Sequence, residues 1–334
     1  MANPFTTQIY YPDGDPENMR EVTTRGWTGT FFYIHRDYWG SAVAEYRDRL
    51  ERPGVYVLVG DDSFEDSDDL QRVYIGHANN LRERINQHIK DPGKDFSQSI
   101  VCVVEDGGFT SAHFKWMESY LIEKAEEINR CDLDNDNQSN KPHISKADEA
   151  DIRNFLEKAC QIFPIVEIKA FTKPKTIRRE TGKDVKAEEK REKTPGLREK
   201  VLIAFQDREN VTLLKRSEAT FYNESKTICV GCYISKLYEE KQSFWFGLRK
   251  NIVDFLQNAD KGYLLFGMEG QTRAIALPVK EFSEVKERLY RTYEKDTNQI
   301  SFWHMQIFIT KGNFELKLQG GQRSDLSQYV FDLE

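Results

Sequence analysis

From about Thr172 to Lys200 the chain reads TKPKTIRRETGKDVKAEEKREKTPGLREK, with eleven basic and six acidic residues and almost no bulky apolar side chains. No hydrophobic core can run through such a stretch. It reads as a solvated linker and divides the sequence into two blocks, residues 1–171 and 201–334. Each block is of ordinary domain size. Hydrophobic residues make up 39% of the 334, and aromatics 12%, which is enough apolar material for two cores and excludes wholesale disorder. Both blocks mix strand and helix patterns, so the expected class is α+β in each: a small mixed or antiparallel sheet flanked by helices, then a second α+β domain with antiparallel pairing.

A mean hydropathy of −0.68 and the lack of an apolar run near 18 residues exclude a membrane-spanning helix. The opening MANPFTTQIYYPDGDPENMR has no basic stretch followed by an apolar one, so no secretory signal is expected. Five cysteines spread over the chain do not make a disulfide framework, and a cytosolic, reducing location is the expectation. Lys plus Arg total 48 against 55 Asp plus Glu, a net charge of −7. Proteins that rely on non-specific attraction to phosphates are usually basic, so any nucleic-acid contact here must come from local placement of charge.

In the first block, GVYVLV (Gly54 to Val59) reads as a strand closed by the turn-rich GDDSFEDSDD, and Arg72 to Ile75 as a second. From Asn80 to Ile89 the period turns helical, with Leu81, Ile85 and Ile89 on one face and Asn80 with Glu83 resembling a capping box. A strand at Ser99 to Glu105 and helices from Ala112 to Arg130 and Lys146 to Gln161 complete the block. Tyr56 and Tyr74 can therefore lie side by side on one sheet. Arg84 and His88, four apart, share a helix face at the margin of the apolar stripe. On the next helix Phe114, Met117, Leu121, Ala125 and Ile128 form one face, and Glu118 falls inside it. A carboxylate aimed toward a core needs a partner, and a divalent cation is the natural one.

GVY at Gly54–Tyr56, VYIG at Val73–Gly76, Arg84 and His88 on a helix, and a downstream Glu118 together resemble the GIY-YIG nuclease family. The resemblance covers roughly Arg52 to Phe171; the prelude from about Trp27 and the trailing KPHISKADEADIRNFLEKACQIFP resemble a bacterial subfamily with an accessory C-terminal domain. It implies a DNA endonuclease that uses Mg²⁺ or Mn²⁺. By that resemblance Tyr56 is the general base or orients the attacking water, and Tyr74 positions the scissile phosphate or assists the base. Arg84 neutralises charge on the non-bridging oxygens, His88 hydrogen-bonds Tyr56 or shares the proton work, and Glu118 ligates the metal. The family's late Asn is Asn135, Asn137 or Asn140, with Asn137 favoured by its spacing to Pro142. Sixteen residues separate Tyr56 from Val73, and six of the nine from Asp61 to Asp69 are acidic; this insertion is expected to point away from DNA. His77, directly after VYIG, reads as a loop residue.

The second block is read as a helix from about Gly196 to Gln206, strands from Val211 to Ile234, a helix from Phe246 to Asn258, strands at Gly262 to Met268 and Arg273 to Pro278, a helix from Glu281 to Glu294, and two closing strands. It interleaves aromatics with cations, among them Lys236, Lys241, Trp245, Arg249 and Lys250, the set suited to stacking on bases and holding phosphates. These five are its candidate DNA contacts. Cys229 and Cys232 lack a second metal-ligating pair and read as buried and inert, as do the other cysteines. His304 reads as a satisfied core residue. The expected whole is a metal-dependent endonuclease of restriction or phage-defence type, whose C-terminal domain selects a sequence or modified base. Because one site cuts one phosphodiester, cutting both strands calls for a homodimer or two encounters. The alternatives are a repair or mobile-element nickase and a non-catalytic DNA-binding scaffold.

Overall fold

The computed structural model describes residues 4–60, 70–91, 96, 98–135, 141–177, 196–293 and 299–333, in two units, Met1–Lys173 and Pro174–Glu334. The first unit runs β1 (Thr7–Tyr10), β2 (Met19–Thr24), β3 (Gly29–His35), α1 (Trp39–Glu45), α2 (Arg47–Leu50), β4 (Gly54–Gly60), β5 (Arg72–Ala78), α3 (Leu81–Lys90), β6 (Ser99–Glu105), α4 (Ser111–Ile128), β7 (Asp132–Leu133) and α5 (Lys146–Ile162). Its sheet has the order β1-β2-β3-β6-β4-β5-β7. All neighbours pair antiparallel except β5 and β7, so the sheet is mixed.

Alternation along the central strands fills both faces. Val55, Val57, Val59, Val73, Ile75, Val101 and Val103 pack with Phe114, Met117 and Leu121 of α4 and Phe155 and Leu156 of α5. Tyr56, Leu58, Ile100 and Cys102 pack on the opposite face with Leu81 and Ile85 of α3, Trp39 of α1 and Leu50 of α2. A sheet covered on both faces explains why GVYVLV and SIVCVV read as unbroken apolar runs rather than alternating ones. Each such fully buried side chain contributes about 1.5–3 kcal/mol. The Asn80 side chain caps α3 by accepting from the Glu83 N–H at 3.0 Å, and Ser145 caps α5 in the same way through the Asp148 N–H at 3.1 Å. Residues Thr7–Thr24, ahead of the recognisable prelude, form two further strands of the same sheet.

The stretch read as linker is packed at both of its described ends. The Ile177 N–H donates to the Leu213 carbonyl and the Lys215 N–H to the Lys175 carbonyl, both at 2.9 Å, and a helix begins at Leu197. Residues 178–195 lie outside the described residues.

The second unit runs α6 (Leu197–Glu209), β8 (Leu213–Lys215), β9 (Thr220–Asn223), β10 (Ile228–Ser235), β11 (Leu237–Tyr238), β12 (Ser243–Arg249), α7 (Lys250–Gln257), β13 (Lys261–Met268), β14 (Arg273–Pro278), α8 (Val279–Val285), β15 (Tyr290–Tyr293), β16 (Ile300–Thr310), β17 (Asn313–Lys317), β18 (Arg323–Asp325) and β19 (Val330–Asp332). One sheet has the order β19-β14-β13-β10-β9-β8; the other has β11-β12-β16-β17-β18, with β15 also on β16. Four sequence expectations are corrected. The helix read from Phe246 starts only at Lys250, because Phe244, Phe246 and Leu248 alternate into the core as a strand. The helix read to Glu294 stops at Val285, and Tyr290–Tyr293 pairs with β16. Five strands rather than two follow that helix among the described residues. Finally, β10 and β13 are parallel, since the chain crosses over through β12 and α7 between them.

Candidate active site

Tyr56 on β4 and Tyr74 on β5 both face α3, with ring centroids 6.3 Å apart. Directly opposite Tyr56 in the register stands Gly76. A Cβ at that glycine would lie 2.3 Å from both Cζ and the hydroxyl oxygen of Tyr56, so the phenol occupies the room a side chain would need. Only 1% of Tyr56 is exposed. From α3, His88 brings Nε2 to 2.8 Å from the Tyr56 hydroxyl, and Arg84, one turn earlier, donates from Nε to the same oxygen at 3.4 Å. The Tyr74 ring lies 5.3 Å from His88, and its hydroxyl also engages Arg84.

Burial dominates the electrostatics. It pushes the Tyr56 phenol well above the ordinary tyrosine range, with help from Tyr74 and the Glu118 charge, and Arg84 only partly offsets this. Tyr56 is therefore a protonated phenol. For Arg84, burial works against its charge, but its bonds to the two phenols outweigh that and hold it firmly cationic.

Glu118 reaches the cluster from the other layer. On α4, it meets His77 with Oε2 2.8 Å from Nδ1, and its side chain is 13% exposed. The loop reading of His77 is corrected here. Strand β5 continues past Gly76 to Ala78, which places His77 in phase with Val73 and Ile75 on the α4 face. That phase was the available signal for it. Tyr56 and Glu118 are thus rooted on opposite faces of the sheet, yet the carboxylate is near enough for its charge to raise the Tyr56 pKa.

Asn135 clasps the strand between them. Its Oδ1 accepts from the Ile75 N–H at 3.0 Å and its Nδ2 donates to the Ile75 carbonyl at 2.8 Å. Asn137 and Asn140 lie outside the described residues, as does the acidic segment 61–69. Among the described residues no three His, Cys, Asp or Glu side chains gather as a metal cage. A single carboxylate nevertheless suits Mg²⁺ or Mn²⁺, because Mg²⁺ in particular keeps several waters and takes its remaining ligands from one or two carboxylates and substrate phosphates.

Two phenols, a guanidinium, an imidazole and a carboxylate thus gather about one strand of a mixed sheet. The family follows from comparison: residues 61–179 match the GIY-YIG catalytic domain, so the first unit carries a GIY-YIG nuclease domain. The match takes in Tyr74, Arg84, His88 and Glu118 and begins just past β4, so Tyr56 joins them through the pairing of β4 with β5. No curated protein and no solved structure matches the chain.

Of the five candidate DNA contacts in the second unit, the structure brings Lys241 and Trp245 into one pocket. Lys236 is exposed between β10 and β11, Arg249 ends β12, and Lys250 pairs with Asp254 at 2.6 Å. His304, read as a core residue, instead lines the pocket, with both ring nitrogens bonded. Cys229 and Cys232 are buried free thiols, and burial pushes Cys229 up to about 11, which leaves it unreactive.

Proposed function

We propose that the protein is a divalent-metal-dependent DNA endonuclease, restriction-like or phage-defensive, whose second unit selects the target. The single observation supporting this most is the Tyr56–His88–Arg84 cluster, with Tyr74 beside it and Glu118 within electrostatic reach.

The chemistry assigned to each group follows from its surroundings. A phenol held protonated by burial is a poor base on its own. In the His88 tautomer whose Nε2 carries no proton, the Tyr56 hydroxyl donates to it. Tyr56 can then take a proton from the attacking water as it passes its own to the imidazole. The water and phenol O–H bonds break, a new phenol O–H and an imidazole Nε2–H form, and His88 ends protonated. Arg84 is positioned against charge that grows on the non-bridging phosphate oxygens, where such a donor is worth about 10²–10³ in kcat. Tyr74 orients the scissile phosphate. Glu118 would hold Mg²⁺ or Mn²⁺, with His77 fixing the carboxylate, and the bound ion supplies Lewis-acid stabilisation of the phosphate.

The test is cleavage of supercoiled plasmid in Mg²⁺ by wild type and Glu118→Ala, alongside DNA binding in EDTA. Lost cutting with retained binding is the expected result. No metal-dependent cutting of any DNA by the wild type, across unmodified, methylated and hydroxymethylated or glucosylated substrates, would refute the reading. The time course of nicked against linear product separates a nickase from an enzyme that cuts both strands.

A further inference from the structure

The second sheet of the second unit turns one face inward and the other to solvent. Phe244, Phe246 and Leu248 of β12 and Trp303, Met305 and Ile307 of β16 are buried, so Trp245, His304 and Gln306 stand on the outer face. Trp245 is 37% exposed and Tyr290, on neighbouring β15, 48%. Together these side chains line an open pocket of about 560 Å³, within the size range of ligand sites. Three cations, Lys241, Arg291 and Lys317, also line it, and no acidic residue does, in a chain whose acids outnumber its bases by 7. Arg291 is tied to Glu287 at 2.9 Å, whereas Lys241 and Lys317 have no acidic partner among the described residues.

The polar groups at the pocket are fixed in advance. The indole N–H of Trp245 donates to His304 Nδ1 at 3.1 Å. A ring nitrogen that accepts carries no proton, so the His304 proton sits on Nε2 and donates to Thr292 Oγ1 at 2.9 Å. The indole's one donor is thereby spent, and what Trp245 offers a ligand is its ring face. Gly247 lies opposite His304, and a Cβ there would approach the indole Cη2 to 3.2 Å, tight enough to disturb the Trp245–His304 contact. Gln306 donates through Nε2 to Ser243 Oγ at 2.8 Å, which leaves its amide oxygen to accept from the edge of a ligand.

An exposed indole, flanking ammonium groups with no acidic partner among the described residues (Lys317 stands 6.0 Å over the Tyr290 ring) and a fixed acceptor match a flat ring that carries an anion. We infer that this pocket takes one unstacked nucleotide of DNA, its base on Trp245 and its phosphates on Lys241 and Lys317. A base within an intact duplex presents only its edge, so the nucleotide must come from a single strand or be turned out of the helix. The inference deepens, and rests on, the reading of the second unit as the part that selects DNA.

Anisotropy of a labelled single strand of about 12 nucleotides, against its matched duplex, tests this with the full-length chain in EDTA, where no cutting occurs. The single strand should bind at least about tenfold tighter. Trp245→Ala should weaken it about 5- to 150-fold, the effect of losing one stacked base, while Trp245→Phe retains most of the affinity and shows that the fold is kept. Lys317→Ala should reduce the slope of log K against log salt by about 0.7. If the wild type binds neither DNA, the parent reading of the second unit fails. If it binds DNA but Trp245→Ala matches wild type, or duplex binds as tightly as single strand, the pocket assignment alone fails. Competition by free deoxynucleoside monophosphate at the oligonucleotide's own concentrations would also overturn it, by making this a site for free nucleotides.

Discussion

Gly76→Ala isolates the packing that aims the Tyr56 phenol of the candidate site. In an ordinary strand, replacing glycine by alanine stabilises by about 0.4–1 kcal/mol, because the unfolded chain loses freedom. Gly76 has no left-handed backbone angle that alanine would resist. The sign therefore turns on space. The new methyl would lie 2.3 Å from Cζ and the hydroxyl oxygen of Tyr56 and 2.8 Å from Cε2. That ring cannot swing aside cheaply, since it is 1% exposed and bonded to His88 at 2.8 Å. Overpacking of this kind costs about 1–3 kcal/mol, so the net change is about 0.5–2 kcal/mol of destabilisation. For a unit of this size that is a fall in Tm of about 1–8 °C. Cleavage should fall further than stability, because the hydroxyl is displaced from both His88 and Arg84. The assay is a thermal melt and plasmid cleavage, repeated in a Tyr56→Leu background where the obstructing ring is gone. There Gly76→Ala should cost little or nothing, giving a coupling energy of the size of the single-mutant loss. Wild-type melting and cutting by Gly76→Ala, or an equal loss in the Tyr56→Leu background, would refute the argument.

Three further outcomes follow from the same site. His77→Ala should raise the Mg²⁺ concentration for half-maximal cutting about 10–100-fold, while His77→Gln recovers part of it; an unchanged Mg²⁺ titration would separate His77 from the carboxylate. Arg84→Ala should lower kcat about 10²–10³-fold with little change in DNA affinity, measured in single-turnover cleavage. Tyr56 bears on alkaline stability. Its folded pKa lies above the unfolded value of about 10, so its contribution is complete below that pH and is lost as pH rises beyond it. Tyr56→Phe should flatten this part of the alkaline decline in denaturant melts, and an unchanged slope would show that the phenol ionises freely in the folded state.

Much of the site could be read from the sequence because its residues sit on strongly patterned elements. The Leu81/Ile85/Ile89 stripe permits one phase, and that phase fixes where Arg84 and His88 project; GVYVLV, apolar on both faces, offers no phase, and Tyr56 is picked out by the motif it shares with VYIG instead. Glu118 stood out for the opposite reason, as a charge in an apolar stripe. His77 escaped because a strand read as ending at Ile75 gives the next residues no direction; three more residues of pairing with β4 decide it. Local pattern also misleads in SFWFGLR, where a dense aromatic run carries helical and strand periods equally well and only pairing with β16 chooses. The strands Thr7–Tyr10 and Met19–Thr24 were hidden by their composition, since TQIY is largely exposed and gains its place from neighbours distant in the chain. Side chains that bond one another across strands, such as Trp245 with His304, leave no mark in either segment alone.

Asn135 makes one amide do the work of a neighbouring strand. A backbone ladder is indifferent to side-chain identity, so most strand edges tolerate substitution; here the pairing of Ile75 is written in a single letter of the sequence. Aspartate would still receive the N–H but set an anion against the carbonyl, and alanine would leave two peptide groups next to Tyr74 to find water, at about 1–3 kcal/mol for each left unsatisfied. Beyond the short pairing of β5 with β7, the outer side of β5 is thus held by chemistry that a short carboxamide supplies, and its loss would loosen the strand that carries both Tyr74 and His77.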